Sequence, residues 1–206
     1  IAATSSAGQA HIGVDGPLAG RLLRERVFES GAAIPLGTNH MRVAEAEFAF
    51  RMGRPLAPRA HPYVMGEVLA AVESLHPAIE IPDSRYDDFT IVGAPQLIAD
   101  DACAHFFVLG PATETPWRDC DLLEHSVTAT ALGAPGSTHK GKGRNVLGDP
   151  RAALTWLVNE LSGLGIALKT GQVVTTGTCV VPVPIAAGDK VRADFGPLGE
   201  VAVYVA

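Results

Sequence analysis

No apolar run in this chain approaches the ~20 residues that a membrane-spanning helix requires, and no charge-then-apolar leader opens it. Cysteine is scarce. Cys103, Cys120 and Cys179 lie far apart, form no CxxC pair and build no even-numbered framework, so free thiols in a reducing compartment are expected. Positive charge is also in short supply: 16 Lys and Arg against 22 Asp and Glu give a net charge of −6. That balance argues against a nucleic-acid binder, whose affinity would rest on neutralising phosphates. Internal repeats and low-complexity tracts are absent. The chain has no initiating Met and begins at Ile1, so an N-terminal segment is expected to be missing.

What is present is apolar and ordered. Apolar residues make up 47% and charged residues 18% of the 206, which excludes disorder as the main state and suffices for a sizeable core. A cytoplasmic protein with one domain over 1–206 is expected. Residues 1–40 read as loops with short elements. Over 42–50 the sequence alternates, with Ala44, Ala46, Phe48 and Phe50 facing one way and Glu45 and Glu47 the other, which predicts a strand. Helical spacing from Pro62 through Val64, Val68, Leu69, Val72 and Leu75 predicts a helix ended by His76-Pro77. A short strand, Ala78–Ile81, and a helix across 95–104 are predicted next. Strands are then expected at Phe106–Leu109 and Leu122–Leu132, and a loop over 134–145.

Asp149-Pro150 is an N-cap and first-turn pair for a helix with the stripe Leu154, Leu157, Val158 and Leu161, closed by Gly163 or Gly165. Strands are expected around 173–181, 190–195 and 200–205. Strands and helices do not alternate as βαβ units, so the expected class is α+β rather than a doubly wound sheet.

Period-two spacing puts the carboxylates of Glu45 and Glu47 on the same side of one strand. In a protected place two such groups repel, and one takes up a proton unless a cation lies between them. Glu80, between Ile79 and Ile81, is the natural third ligand, and an oxygen-only set selects Mg²⁺ or Mn²⁺ over Zn²⁺. The pattern alone leaves a second reading open, in which the pair is simply a solvated strand face.

Several ordered motifs go further. They are Arg42-Val-Ala-Glu-Ala-Glu-Phe-Ala-Phe50, Ala78-Ile-Glu-Ile-Pro-Asp-Ser-Arg85, Asp100-Asp-Ala-Cys-Ala-His-Phe-Phe-Val-Leu-Gly110, Val146-Leu-Gly-Asp-Pro150, and Gly171-Gln-Val-Val-Thr-Thr-Gly-Thr178 with Gly188-Asp189. Through them the whole chain resembles the fumarylacetoacetate hydrolase superfamily, in particular its 2-keto-4-pentenoate hydratase and 4-oxalocrotonate decarboxylase branch. The resemblance implies a mixed β-roll-like core with a few packed helices, Mg²⁺ or Mn²⁺ held by Glu45, Glu47 and Glu80, and a homo-oligomer. It implies a lyase of small 2-keto acids, of the kind found in aromatic catabolism, most directly a hydratase of a 2-hydroxy-dienoate or 2-keto-4-pentenoate. Alternatives are a decarboxylase of an oxalocrotonate-like acid, a C–C hydrolase of acylpyruvates, or a non-catalytic partner subunit.

The chain also departs from the family pattern. The acid–base Lys of the hydratases falls immediately upstream of Ile1, and their Asp falls at Leu18 within Gly13-Val-Asp-Gly-Pro-Leu18. Asp15 matches a different position. Thr176 and Thr178 resemble substrate-contacting positions, although strand threonines are commonly just β-formers. Asp83 is a candidate catalytic group that could orient a ligand or water, or else pair with Arg85 in a surface turn. Lys169, at a strand entrance, could meet a substrate carboxylate or be a solvated turn lysine. Asp101, Cys103 and His105 replace smaller or uncharged residues and either reshape a pocket or pack a helix end. Gly141-Lys-Gly-Arg-Asn145 lacks the full GxxxxGK[ST] phosphate-binding pattern and reads as a loop with His139 and Lys140 at its tip.

Overall fold

The computed structural model describes residues 1–133 and 136–206. In chain order the elements are α1 (Ser6–Ile12), β1 (Val27–Glu29), β2 (Ala33–Ile34), β3 (Val43–Met52), α2 (Met65–Ala70), β4 (Val72–Ile81), α3 (Ala94–Ala99) and β5 (Phe106–Leu109). They continue with β6 (Ser126–Leu132), β7 (Ser137–Lys142), α4 (Pro150–Gly163), β8 (Val173–Thr178), β9 (Val183–Pro184), β10 (Lys190–Asp194) and β11 (Glu200–Val205). Among the described residues the strands form two sheets. One runs β1-β5-β4-β3-β8, with β9 also paired to β3, and the other runs β2-β11-β10-β6-β7. Most pairs are antiparallel, but β1–β5 and β11–β2 are parallel, and neither sheet closes into a barrel. This is the expected mixed α+β architecture.

The two sheets share one core. From β3 come Phe48 and Phe50, from β4 Ile79 and Ile81, and from the second sheet Val191, Ala193, Val201 and Val203, all buried. Phe48 meets Phe195 edge to face at 5.0 Å. Truncating such a side chain to Ala costs about 3–5 kcal/mol, so the apolar face of β3 is fixed in place. Its other face is thereby fixed too.

Several boundaries differ from the sequence expectation. The helix expected through Leu75 stops at Ala70, and Val72, Leu75 and His76-Pro77 lie inside a ten-residue strand, β4. Apolar residues at 72, 75 and 79 have helical spacing, and a strand accommodates them only through the register shift that leaves Glu73 unpaired. Pairing with β3 over eight positions from Glu45↔Glu80 to Met52↔Val72 decides the matter. The strand expected over 122–132 begins at Ser126. The loop expected over 134–145 opens on two residues outside the described ones, and from Ser137 it is β7, paired along β6. The helix at 150–163 forms as expected, with Asp149 capping it by accepting from the Arg151 amide at 2.8 Å.

The helix expected across 95–104 ends at Ala99 for a specific reason. Asp101, Ala102 and Cys103 are left-handed, with φ of 56°, 56° and 64°. No glycine eases this conformation, so it persists only because its surroundings over-determine it. The Arg21 amide donates to Asp101 Oδ1 at 2.6 Å, and the Asp83 amide donates to the Cys103 carbonyl at 3.0 Å. A Cβ on Gly20 would stand 2.3 Å from the Asp101 carbonyl oxygen, so the segment before β1 approaches this turn too closely for any other residue.

Candidate metal centre

Register brings the acidic residues together. Glu45 on β3 is paired directly with Glu80 on β4, and Glu47 with Ala78. Like charges facing across a strand pair repel, yet one oxygen from each of Glu45, Glu47 and Glu80 lies within 4.8 Å of the others. Glu47 is completely buried and the other two are half-buried. The solvated-face reading fails here.

Glu47 is held in detail. On β8 the register shifts, with Thr175 opposite Ala49 but Thr178 opposite Glu47, leaving an extra residue in β8. This bulge contains Gly177, at φ 90°, where a Cβ would also strike the Thr4 hydroxyl. The Gly177 amide donates to Glu47 Oε2 at 2.8 Å, and the Thr175 hydroxyl donates to the same oxygen. Glu47 Oε1 is buried with no hydrogen-bond partner. An unpaired buried carboxylate oxygen is costly, and a cation is the natural counterpart.

Electrostatics agree. Burial, followed by the Glu47 charge, pushes the Glu45 carboxyl up to about 8. Burial likewise raises Glu47, and burial with both neighbours raises Glu80. Among the described residues the ligand atoms that converge are those of Glu45, Glu47 and Glu80, and neither thiol is one of them. Burial raises Cys103 to about 11 and Cys179 well above its ordinary value. The donor set is all oxygen and fits a hard divalent cation held by Glu45, Glu47 and Glu80.

The remaining sequence candidates lie at different distances from the triad, with Thr178 directly opposite Glu47. The Thr176 hydroxyl is fully buried and donates to the Phe48 carbonyl at 2.9 Å, while the Thr178 hydroxyl donates to the Val180 carbonyl at 2.7 Å. Asp83 lies just past the end of β4, with Oδ1 accepting from the His40 amide at 2.8 Å. Lys169 is exposed in the loop before β8, beyond the Met52 end of β3. Met52 lies five residue steps along the strand from Glu47, roughly 16 Å. Thr175, which touches the triad, escapes a sequence reading because the bulge that sets its side is invisible there.

Next to Ile1, whose nitrogen donates to the Thr175 carbonyl at 2.9 Å, Ala2 and Leu18 are bridged by two backbone hydrogen bonds of 2.9 and 3.0 Å. Leu18 is buried against Val14, Leu97 and Cys103.

Relatives bear on this geometry. The chain matches no family model. Its structure superimposes on 4-oxalocrotonate decarboxylase from Pseudomonas putida G7, complexed with magnesium and adipate, with a TM-score of 0.85 and 28% identity, covering 98% of this chain and 75% of that one. Fold and acidic centre together define a fumarylacetoacetate hydrolase-like protein. In sequence it is 34% identical over 201 residues to a 2-keto-4-pentenoate hydratase of Paraburkholderia xenovorans, covering 98% of this chain and 72% of that protein. It is 35% identical over 193 residues to a 2-hydroxyhexa-2,4-dienoate hydratase of Comamonas testosteroni, covering 92% and 70%. The chain belongs to the 2-keto-4-pentenoate hydratase and 4-oxalocrotonate decarboxylase family.

Proposed function

We propose that this chain is a divalent-metal-dependent hydro-lyase that hydrates a 2-hydroxy-dienoate or 2-keto-4-pentenoate type of acid. The observation that carries the reading is the buried Glu45–Glu47–Glu80 cluster with its orphaned Glu47 oxygen, in a chain whose relatives are hydratases. A bound Mg²⁺ or Mn²⁺ supplies Lewis-acid stabilisation of negative charge developing on a substrate oxygen. Mg²⁺ is the first choice, since the related decarboxylase was solved with magnesium.

This chain's residues do the rest. Thr175 and the Gly177 amide lock Glu47 through one oxygen, which leaves the other for the cation. Asp83 is the candidate for handling a proton or water, because Oδ1 is fixed by the His40 amide within three residues of Glu80. We further read the protein as a single catalytic domain acting as a cytoplasmic homo-oligomer. Its three free cysteines support the reducing compartment, and the family resemblance supports the assembly.

A second reading is favoured by one observation. Leu18 is apolar and buried at the position where the resemblance expects an acid, which suits a decarboxylase, a C–C hydrolase or a non-catalytic partner subunit. The test is to strip the protein with a chelator, restore Mg²⁺ or Mn²⁺, and follow loss of 2-hydroxypenta-2,4-dienoate absorbance. Metal-dependent turnover upholds hydration. Release of CO₂ from oxalocrotonate, cleavage of an acylpyruvate, or no turnover without an added partner subunit would replace it.

A further inference from the structure

A cleft opens on the same sheet face as the triad, toward the other end of β3. Period-two spacing puts Arg51 on the face of Glu45 and Glu47, four residue steps from Glu47, roughly 13 Å along the strand. Between them Ala49, Ala78 and Phe107 are completely buried and Leu22 packs against them, so apolar side chains part the cleft from the carboxylates. Its volume is about 560 Å³, a size that suits a small organic molecule. His76 on β4 lines it and is buried. The ring is committed at both nitrogens. Nδ1 lies 2.9 Å from the Gly110 carbonyl, which can only accept, so Nδ1 carries the proton. Burial is the largest influence on the His76 pKa and lowers it, and the Arg51 charge adds to that against the Gly110 bond and Glu73. In the neutral ring Nε2 then accepts the Ser74 hydroxyl hydrogen at 2.9 Å.

The arginines of the cleft are not committed. Arg59, Arg85, Arg144, Arg151 and Arg192 each sit in an ion pair. Among the described residues neither Arg24 nor Arg51 does, and both line the cleft. The Arg51 guanidinium makes one long contact, 3.4 Å to the Gly171 carbonyl. Glu29, exposed on β1, lines the cleft as well, so two arginines and one glutamate leave a single net positive charge there. Val27, Leu109 and Pro111 add an apolar wall, and Val27 is exposed in spite of its apolar side chain. Guanidinium forks match the two oxygens of a carboxylate. A multiply charged anion would bring surplus negative charge up to Glu29. The wall meanwhile rewards an apolar body, which leaves water on binding.

We infer that this cleft is a second binding site, separate from the metal centre, for a monocarboxylate with an apolar body, gripped by Arg24 and Arg51. Hexanoate is a suitable probe, because it lacks the 2-keto oxygen needed to chelate a cation. Its calorimetric titration into the chelator-treated full chain isolates the cleft from any carboxylate binding at the metal. Hexanoate is expected to bind one site, and restoring Mg²⁺ should leave that site's affinity within about twofold. Arg24→Gln and Arg51→Gln should each weaken it at least about threefold, as loss of a partly exposed charged partner does, with thermal melts confirming that each variant folds. Inorganic phosphate, which has the charge without the body, and hexan-1-ol, which has the body without the charge, should each bind at least about tenfold more weakly. No binding without Mg²⁺ assigns the carboxylate to the metal centre and overturns the inference. So does an affinity that neither arginine variant alters, or phosphate or hexan-1-ol binding as tightly as hexanoate. None of these results bears on the hydratase reading, which concerns the triad alone.

Discussion

Thr175 donates its hydroxyl hydrogen to one oxygen of Glu47 while the other oxygen of that carboxylate stays buried and unpaired. The pair makes Thr175 a support for the ligand rather than a ligand. Removing such a support weakens metal affinity by roughly 10–100-fold in comparable sites. Thr175→Val is therefore expected to weaken Mg²⁺ binding by about that factor, measured by calorimetry, with Thr175→Ser restoring most of it. Unchanged affinity in Thr175→Val would show that the Gly177 amide alone fixes the carboxylate.

The metal-free protein should respond to pH in a defined direction. Glu45 has a folded-state pKa raised from 4.5 to about 8, and Glu47 and Glu80 are raised as well. The folded state then binds more protons than the unfolded chain between these values, so stability is greatest below about 4.5 and is lost as pH rises toward about 8. Melting temperatures of chelated protein should fall across that window. Added Mg²⁺ should raise them more at the upper end than at the lower, and Glu47→Gln should abolish most of that increment. A flat profile in chelated protein would contradict the burial of these carboxylates.

Gly177 joins two constraints at one position, a left-handed backbone and contact with Thr4. Gly177→Ala is expected to destabilise the fold by about 1–3 kcal/mol, as backbone strain at such positions does, and to weaken metal binding through the displaced amide. Urea unfolding checks the first effect and metal titration the second. An Ala variant of full stability would mean that the bulge relaxes freely.

Lys169 offers a contrast. It is exposed and lies beyond the far end of β3 from the triad. Lys169→Ala should leave KM for the keto acid within about twofold, in keeping with surface substitutions that disturb stability by under 0.5 kcal/mol. A tenfold rise in KM would place it at the substrate after all.

Much of this was legible in the sequence where the physics is local. Alternation over 42–50 gives β3 and its acidic face directly, and Asp149-Pro150 marks the start of α4. Glu80 could be singled out because Ile79 and Ile81 flank it in strand fashion. What stayed hidden depends on distant partners. The length of β4 is set by β3 and β5 rather than by its own residues, and Pro77 within it reads locally as a terminator. The left-handed run at Asp101–Cys103 has no glycine to announce it, and the β8 bulge decides that Thr175 rather than Thr176 reaches Glu47.

The pairing of Glu45 with Glu80 has a consequence for how the chain finds its native alignment. Side chains alternate with a period of two, so sliding β4 by a single residue against β3 would turn Glu80 into the interior and Ile79 and Ile81 outward. Misaligned molecules would then lack a place for the cation. Refolding in the presence of Mg²⁺ should accordingly enrich the correct alignment, with the ion serving as a proofreader of strand registry.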